Sequence, residues 1–270
     1  MKKRVMLYFG SFNPIHQGHI ALAEYVVDKN LCDEVAMIVS PRNPLKSVEG
    51  LAPEIDRFEM VEVACAASRY PDRIKASIIE FLLERPSYTI NTLRHLSENY
   101  GVDSQFSLLM GGDIIPQLHK WRSFEEILDG YNIYVYPRRG ERVEQYLDKI
   151  TLLEGAPLQN FSSTDVRQAL SEGESVEAML PKEVISHIRA KGLWKAKGEA
   201  AELNTLVAET PTAENYIARG KYHYRCNNFG KALNDFNKAL SLEPFNSEAT
   251  EFKSMVEEIL SFRHVDIYNP

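Results

Sequence analysis

The chain has 270 residues, and its 31 lysines and arginines against 38 aspartates and glutamates give a formal net charge of −7. Hydrophobic residues make up 44% and charged residues 26%, which is ordinary for a soluble globular protein and argues against wholesale disorder. This length predicts one large domain, or one large and one smaller domain. A pI near 5.6 argues against sequence-blind binding to nucleic acid, though not against a local phosphate pocket.

The cysteines and the N-terminus indicate the compartment. Cys32, Cys65 and Cys226 are odd in number and far apart, which fits neither a disulfide framework nor a zinc site and suggests a reducing environment. The apolar run of residues 5–9 is too short for a signal peptide or a membrane span. We therefore expect a cytoplasmic protein that does not bind membranes.

Strand and helix signals alternate along the first 195 residues. Strands are predicted at Val5–Phe9, Val35–Val39, Ile74–Ile79, Phe106–Met110, Tyr131–Tyr136 and Ile150–Leu153. Apolar residues at helical spacing predict helices at about residues 18–29, 54–68, 89–99, 163–170 and 182–191. This alternation predicts an α/β fold, a Rossmann-like parallel sheet with helices on both faces. Such sheets bind ligands beyond the carboxyl ends of their strands, near the point where the strand order reverses.

The composition changes after Trp194, so we predict a first domain at residues 1–195. Residues 196–211 contain alanine and glutamate without a clear apolar stripe, and we interpret them as a linker or a polar connecting helix. Residues 212–270 are predicted to form a small all-α extension. Its small, aromatic and proline residues fall at the positions of a tetratricopeptide repeat, namely Tyr216, Gly220, Ala232, Phe236, Ala239 and Pro244.

This repeat is imperfect, since Arg219 and His223 depart from the pattern and no second full repeat follows. A single repeat is too small to be stable by itself. We expect it to dock on the first domain or on a second copy of the chain, or else to hold a peptide partner. Docking is favoured because Phe245, Phe252, Phe262 and Tyr268 supply apolar contacts.

The first strand runs into residues 10–19, GSFNPIHQGH, where a helix begins near Gly18. Gly18 has no Cβ to keep a ligand from the backbone, and the helix start supplies free N–H groups and the positive end of the dipole. His16 and His19 can donate hydrogen bonds to a triphosphate as charge builds on it during in-line displacement. The alternatives are a metal-ligand pair or plain helix caps, but no third ligand follows nearby. We interpret the segment as a nucleotide site.

Residues 161–167, FSSTDVR, form a second candidate anion site near the end of the sheet. Capping hydroxyls, a helix dipole and a cation meet at one turn there. Alone the run is an ordinary helix cap. Together with the first motif it predicts a site for phosphates.

His16-x-Gly18-His19 after a first strand resembles the signature of the nucleotidyltransferase superfamily, which includes adenylyltransferases, cytidylyltransferases and class I aminoacyl-tRNA synthetases. The lysine-rich loop that the synthetases need is absent. Residues 161–167 resemble the adenylyltransferase motif I-S-S-T-x-I-R. Further segments, over about residues 1–195, resemble bacterial nicotinate-nucleotide adenylyltransferase, at residues 40–46, 86–93, 109–113, 118–121 and 180–188. Asn13 stands where that family has aspartate, so it keeps the shape of the side chain and loses its charge.

The resemblance implies roles for individual residues. It makes His16 and His19 catalytic and assigns ATP contacts to Gly10, Ser11, Phe12, His16, Gly18, His19, Gly111, Asp113, Ser162, Ser163, Thr164 and Arg167. It places a nicotinate carboxylate at the backbone of Tyr88 and Thr89 and at the Thr89 hydroxyl, with Trp121 stacked on the pyridine ring and Lys46 near the phosphates. From the residues alone, Asp113 can equally be a structural cap, Trp121 a core or rim residue, and Lys46 a solvated lysine.

The reaction that the resemblance implies is direct adenylyl transfer. The 5′-phosphate of nicotinate mononucleotide attacks the α-phosphorus of ATP and expels pyrophosphate, giving deamido-NAD. A phosphate monoester is ionised near neutral pH, so positioning and charge stabilisation suffice. No compact carboxylate cluster is evident for a metal site, so we expect Mg²⁺ to be carried by ATP. The alternatives are nicotinamide mononucleotide or another phosphate acceptor as substrate, and a non-catalytic protein that senses nucleotide.

Overall fold

The structure is a computed structural model, and it describes residues 2–41, 50–138, 142–158, 160–195 and 198–265, with side chains described as far as residue 260. The chain divides into two compact units. One comprises Met1–Arg167 and Val176–Leu193, and the other comprises Gln168–Ser175 and Trp194–Pro270. No helix in the described ranges is long and apolar enough to cross a membrane.

The first unit is built on a six-stranded sheet in which every pairing is parallel. Its strands are β1 (Lys3–Gly10), β2 (Glu34–Val39), β3 (Ile74–Ser77), β4 (Ser104–Gly111), β5 (Asn132–Tyr136) and β6 (Ile150–Leu152). The order across the sheet is β3-β2-β1-β4-β5-β6, so the direction of winding reverses between β1 and β4. A ligand crevice is expected at the carboxyl ends of these two strands. The predicted Rossmann-like α/β fold is confirmed.

Five of the helices that accompany the sheet in the described residues begin and end close to their predicted positions, and three further helices were not predicted. They are α1 (Gln17–Asp28), α2 (Glu54–Ala66), α3 (Ile79–Leu82), α4 (Thr89–Tyr100), α5 (Phe124–Gly130), α6 (Ser163–Glu172) and α7 (Lys182–Lys191), with a 3₁₀ helix at Gly112–Lys120. The apolar face of α1 is buried at Ile20, Leu22, Ala23, Val26 and Val27, as its spacing predicts. The sequence analysis did not predict α3, α5 and the 3₁₀ helix.

The boundaries of the units differ from the predicted domains 1–195, 196–211 and 212–270. The segment interpreted as a linker or a polar connecting helix contains helix α8 (Glu199–Glu209), whose Asn204 and Val207 are buried in the second unit. Residues 168–175 also belong to that unit, because Glu172 and Glu174 both pair with Lys231. Glu172 and Glu174 are remote from Lys231 in sequence, and local composition does not predict such contacts. The sequence analysis therefore did not assign residues 168–175 to the second unit.

In the second unit, α8 is followed by α9 (Ala213–Arg225), α10 (Phe229–Leu242) and α11 (Ser247–Val265). Gly220 on α9 faces the Phe236 ring so closely that a Cβ there would lie 2.7 Å from it. The absence of a side chain at Gly220 therefore lets the Phe236 ring of α10 pack against α9. Membership of the tetratricopeptide family stays a prediction.

Arg219, one of the two departures from the repeat pattern, has a structural role in this unit. The Arg219 guanidinium donates to both oxygens of Asp235 on α10, at 2.6 and 2.8 Å, and to Asn204 Oδ1 on α8 at 2.9 Å. One side chain thus links α8, α9 and α10. Of the aromatic residues expected to dock, Phe252 packs inside this unit, Phe245 is fully exposed, and the Phe262 and Tyr268 side chains lie outside the described residues.

Arg57 on α2 is the largest side chain that the first unit buries completely. Its guanidinium donates to four backbone carbonyls, those of Ser11, Ser40 and Pro41 at 2.6–2.7 Å and that of Ala52 at 3.1 Å. Ser11 follows β1 and Ser40 follows β2, so one cation fixes the loops that leave two adjacent strands. These bonds shape the edge of the sheet where a ligand is expected.

We predict that Arg57→Met lowers the free energy of unfolding by about 3 kcal/mol or more, because each buried carbonyl left without a donor costs roughly 1–3 kcal/mol. Urea denaturation followed by circular dichroism measures the loss. Arg94→Met is the matched control, since Arg94 forms a solvent-exposed pair with Glu126 that is worth no more than about 1 kcal/mol. Similar losses in both variants would contradict this account of Arg57.

Candidate active site

The two histidines of the first motif cap α1 reciprocally. His16 is the residue before the helix, and its Nδ1 accepts a hydrogen bond from the Gly18 N–H at 3.1 Å. His19 Nδ1 accepts from the His16 N–H, also at 3.1 Å. The rings stack with their centroids 3.7 Å apart. This is a capping box built from imidazoles, so the structure gives the histidines the capping role that was weighed as an alternative.

The caps determine where each imidazole carries its proton. Because both Nδ1 atoms accept from backbone N–H groups, the neutral rings hold their proton on Nε2. Burial lowers the pKa of His16 to about 4, with a further contribution from the Arg138 cation that outweighs the opposing charge of Asp165. His16 is therefore a neutral Nε2–H donor at pH 7. Capping and donation to a ligand use different nitrogens and are compatible.

A cluster of rings beneath the loop holds His19. Phe12, with φ 44° and almost no exposed surface, packs edge-on against His19 and Tyr8 at centroid distances of 5.1 and 5.7 Å. Gly10 permits this packing, because a Cβ there would lie 2.8 Å from the Phe12 ring. The Phe12 side chain is thus a support for the histidine, and any contact with nucleotide would have to come from its backbone.

The carboxyl end of β4 brings a charged pair to the same edge. The Asp113 carboxylate folds back over Gly111, where a Cβ would lie 2.2 Å from its Oδ1. Arg138, which follows β5, places its Nε 3.3 Å from that oxygen and donates from Nη2 to the Tyr136 hydroxyl at 3.4 Å. The Tyr136 hydroxyl in turn lies 3.2 Å from that of Tyr8. Asp113 is therefore held by a cation that the sequence analysis did not identify.

The second motif meets the first. Ser162 caps α6 and exchanges hydrogen bonds with Asp165, whose carboxylate accepts from the Ser162 N–H and hydroxyl at 2.7 and 2.8 Å. The Phe161 ring packs against His16 at 5.3 Å. The Ser163 hydroxyl donates to the Pro14 carbonyl at 2.9 Å, and Arg167 donates to the Asn13 carbonyl at 2.8 Å.

These bonds alter how the second motif can act on an anion. The side chains of Ser162, Ser163 and Arg167 are engaged in capping α6 and in tying it to the loop after β1. Thr164 is exposed at the first turn and accepts from Arg167 Nη2 at 3.2 Å. The part of the motif best placed to receive phosphate oxygens is the helix N-terminus itself, through its N–H groups and dipole.

The hydrogen bonds of the Asn13 side chain explain why an asparagine stands where the resembling family has aspartate. Its Nδ2 donates to the Gly50 carbonyl at 3.0 Å and its Oδ1 accepts from the Ala52 N–H at 2.9 Å. An amide makes both bonds, whereas a carboxylate could make only the second. The residue is buried and structural here.

A small cleft opens where these parts meet. It is lined by Tyr8, His16, Gly18, His19, Leu22, Tyr136, Pro137, Arg138, Pro157, Leu158 and Phe161. Two imidazoles and a guanidinium face one side, while Leu22, Pro157 and Leu158 supply apolar contacts. Polar donors that converge beside an apolar wall are typical of a nucleotide site.

The predicted acceptor residues lie together elsewhere on the first unit. Tyr88 precedes α4 and makes no capping bond with its side chain, and Tyr88 and Trp121 both pack against the apolar cluster at the β1–β4 side of the sheet. The Arg122 guanidinium lies over the Tyr88 ring, 5.1 Å from its centroid. Thr89 opens the helix. A helix N-terminus, two aromatic rings and an unforeseen cation therefore converge, while Lys46 lies outside the described residues.

Comparison with known proteins agrees with this arrangement. The model of the family described as cytidylyltransferase-like matches residues 7–169. The chain belongs to this family. "Probable nicotinate-nucleotide adenylyltransferase" of Flavobacterium johnsoniae is 39% identical over 196 residues, covering 71% of this chain and 99% of the relative. The protein of that name in Bacteroides thetaiotaomicron is 40% identical and covers 70% and 92%.

A solved structure shows the same fold. The nicotinic acid mononucleotide adenylyltransferase of Plasmodium falciparum, complexed with NaAD, superposes with a TM-score of 0.60 at 17% identity. The match covers 71% of this chain and 97% of that structure. At this identity the likeness extends to the fold of the family alone.

The buried neutral state of His16 makes stability depend on pH. The unfolded chain binds a proton at His16 near pH 6.5, whereas the folded chain binds it only near pH 4. The free energy of unfolding should therefore fall by about 3 kcal/mol from this group as the pH drops through that interval. We predict a shallower decline for His16→Asn, which keeps a good capping residue.

Urea denaturation at half-unit steps of pH measures this difference. His95→Asn is the control, because His95 does not line the cleft. A His16→Asn slope that matches the wild type would contradict the neutral, buried state of His16.

Proposed function

We propose that the protein transfers the adenylyl group of ATP to nicotinate mononucleotide, giving deamido-NAD and pyrophosphate in NAD biosynthesis. The observation that carries this proposal is the imidazole capping box. Both Nδ1 atoms accept backbone N–H groups and leave Nε2 to donate, beside a cleft lined by residues of β1, α1 and the end of β5. The names of the relatives support the same reaction.

In this proposal ATP lies across the cleft with its phosphates at the N-termini of α1 and α6. His16 and His19 donate to phosphate oxygens through Nε2, and Arg138 supplies the cation. Leu158 and Pro157 form an apolar wall for the base. The α-phosphorus is then exposed to the acceptor from the side of β4, where Asp113 can accept from ribose hydroxyls. Gly18 allows close approach of the backbone and Ser11 offers a backbone N–H. Gly10 and Gly111 do not serve in this way, because the Phe12 ring and the Asp113 carboxylate fill the space that their missing side chains leave.

The acceptor is held by α4 and the residues after the 3₁₀ helix. The N–H groups of the first turn of α4 favour an anionic ring substituent, and the Arg122 cation adds to that preference. Trp121 offers a flat face to the pyridine ring. The acceptor phosphate is ionised at neutral pH, so no side chain has to remove a proton before it attacks.

Mg²⁺ enters this reaction as part of the ATP substrate. Asp113 is paired with Arg138 and Asp165 is engaged by Ser162, so neither carboxylate is set aside for a metal. An ion held by phosphates and water needs no protein ligand. We propose that the residues around the cleft bind the Mg²⁺–ATP complex and contribute no metal ligand of their own.

We predict that nicotinate mononucleotide is used with a higher kcat/KM than nicotinamide mononucleotide. An amide presents an N–H₂ group to a site of donors, and such mismatches reduce efficiency by orders of magnitude. Pyrophosphate release from ATP, measured with each mononucleotide, gives the ratio. Arg122→Gln should reduce the preference for the acid, whereas Lys120→Gln removes a neighbouring exposed cation and should preserve it.

Equal efficiency with the two mononucleotides would show that the helix start does not select a carboxylate. Absence of pyrophosphate release with either mononucleotide would overturn the proposed reaction and favour a different acceptor or a sensing role.

We predict that His19→Ala lowers kcat by roughly 10²–10³-fold and changes KM for ATP far less. The imidazole donates to charge that develops during displacement, and loss of such a donor typically has this size. Steady-state kinetics with nicotinate mononucleotide measure both constants, with His95→Ala as the control outside the cleft. If His19→Ala has the turnover of the wild type, His19 has no role in the proposed reaction.

A further inference from the structure

A cluster of metal-ligating side chains lies between α2 and α7. Asp56 and Glu59 are three residues apart on α2, so they share one face of that helix. His187 on α7 completes the cluster, and the ligand atoms of the three residues all lie within 4.8 Å of one another. We propose that Asp56, Glu59 and His187 bind a divalent transition-metal ion such as Zn²⁺, which joins α2 to α7.

The distances in the cluster match ligands of one ion better than they match hydrogen bonds. His187 Nε2 lies 3.5 Å from Asp56 Oδ1 and 3.7 Å from Glu59 Oε2. Such separations are too long for hydrogen bonds. Two ligands about 2.1 Å from a tetrahedral zinc ion lie roughly 3.4 Å apart. The imidazole therefore already stands at almost the correct spacing from both carboxylates.

Burial gives a second, independent indication. His187 Nε2 is a buried atom that has no hydrogen-bond partner among the described residues. A buried polar atom without a partner carries a cost that a ligand would remove. The side chains of His187 and Asp56 are only 13% and 14% exposed, whereas Glu59 is 39% exposed. Glu59 thus leaves a path for the ion and room for a water molecule as fourth ligand.

The chemistry of the donors indicates which metal fits. One imidazole nitrogen and two carboxylate oxygens suit zinc, with an open position that water completes. Magnesium and calcium prefer sets made entirely of oxygen, so an imidazole at the best-buried position disfavours them.

Lys191 occupies part of this space when no metal is bound. Its ammonium lies 3.4 Å from Asp56 Oδ1 and 3.5 Å from Glu59 Oε2. The side chain is 48% exposed, so the ammonium can turn into solvent when an ion binds. Lys191 therefore competes with the metal for the same two carboxylates, and its removal should strengthen metal binding.

An ion bound at this site would stabilise the loop of residues 11–17, which contains His16 and leads to His19. Arg57, adjacent to Asp56, holds the Ser11 carbonyl from α2. On the other side, the Gln17 N–H donates to the Met179 carbonyl, just before α7, at 2.9 Å. An ion that joins α2 to α7 therefore connects both supports of residues 11–17. Its role is structural and separate from the Mg²⁺ of the substrate.

The test uses the full-length chain carrying Cys226→Ser, because Cys226 is an exposed thiol that could bind zinc by itself. The protein is stripped with a chelator and titrated with Zn²⁺ alone in a calorimeter, and its thermal unfolding is followed with and without the ion. We expect one equivalent of tightly bound zinc and a raised midpoint of unfolding. Co²⁺ in place of Zn²⁺ should give the visible absorption bands of a low-symmetry site.

Three variants decide the outcome. His187→Gln should weaken zinc binding at least tenfold and abolish the thermal shift, while circular dichroism verifies that the variant is folded. Lys191→Met should bind zinc more tightly than the parent, and His95→Gln should bind it as the parent does. The proposal is overturned if the parent takes up no zinc, if His187→Gln takes up as much as the parent, or if Lys191→Met binds it more weakly. The four side chains would then be an ion-pair cluster alone.

Discussion

The reciprocal cap between His16 and His19 is the constraint on which the candidate site depends. Each Nδ1 accepts a backbone N–H of the helix start, so the helix itself decides which nitrogen of each ring carries the proton. Ring stacking at 3.7 Å and the Phe12 edge then fix the direction in which the two Nε2 atoms point. Each imidazole thus has two roles on different atoms. Its Nδ1 caps the helix, and its Nε2 is left to donate to a ligand.

The rest of the first unit holds that cap in place. Arg57 fixes the loop after β1 from below through the Ser11 carbonyl, and Arg167 and Ser163 hold it from α6 through the carbonyls of Asn13 and Pro14. The loop is therefore bound by its backbone on two sides, through side chains that are remote in sequence. Such preorganisation is what catalysis by positioning requires, because the donors then need no rearrangement as charge develops.

The sequence was sufficient for the sheet, for the main helices and for the positions of the two loop motifs in the fold, because periodicity and the loop motifs are local signals. It was insufficient where a residue acts through long-range contact. Arg138 follows an ordinary strand, and only the pairing of β4 with β5 brings it to Asp113. In the sequence alone, Arg57 is only one polar position on a predicted helix, and Arg122 is only a cation in a loop. The capping bonds of Ser162 were foreseen as an alternative, yet the ties from Ser163 and Arg167 to the first loop depend on the folded sheet.

In the proposed reaction, the charge state of the site would let it bind a triphosphate without binding it too firmly. Burial keeps His16 neutral, and the Arg138 cation is partly balanced by Asp113. A neutral donor interacts modestly with the ground-state phosphates and more strongly with an oxygen on which charge is growing, so its contribution is concentrated in the transition state. A permanently charged imidazolium would instead stabilise ATP and pyrophosphate at every stage. In the proposed reaction, the lowered pKa of His16 would therefore favour turnover.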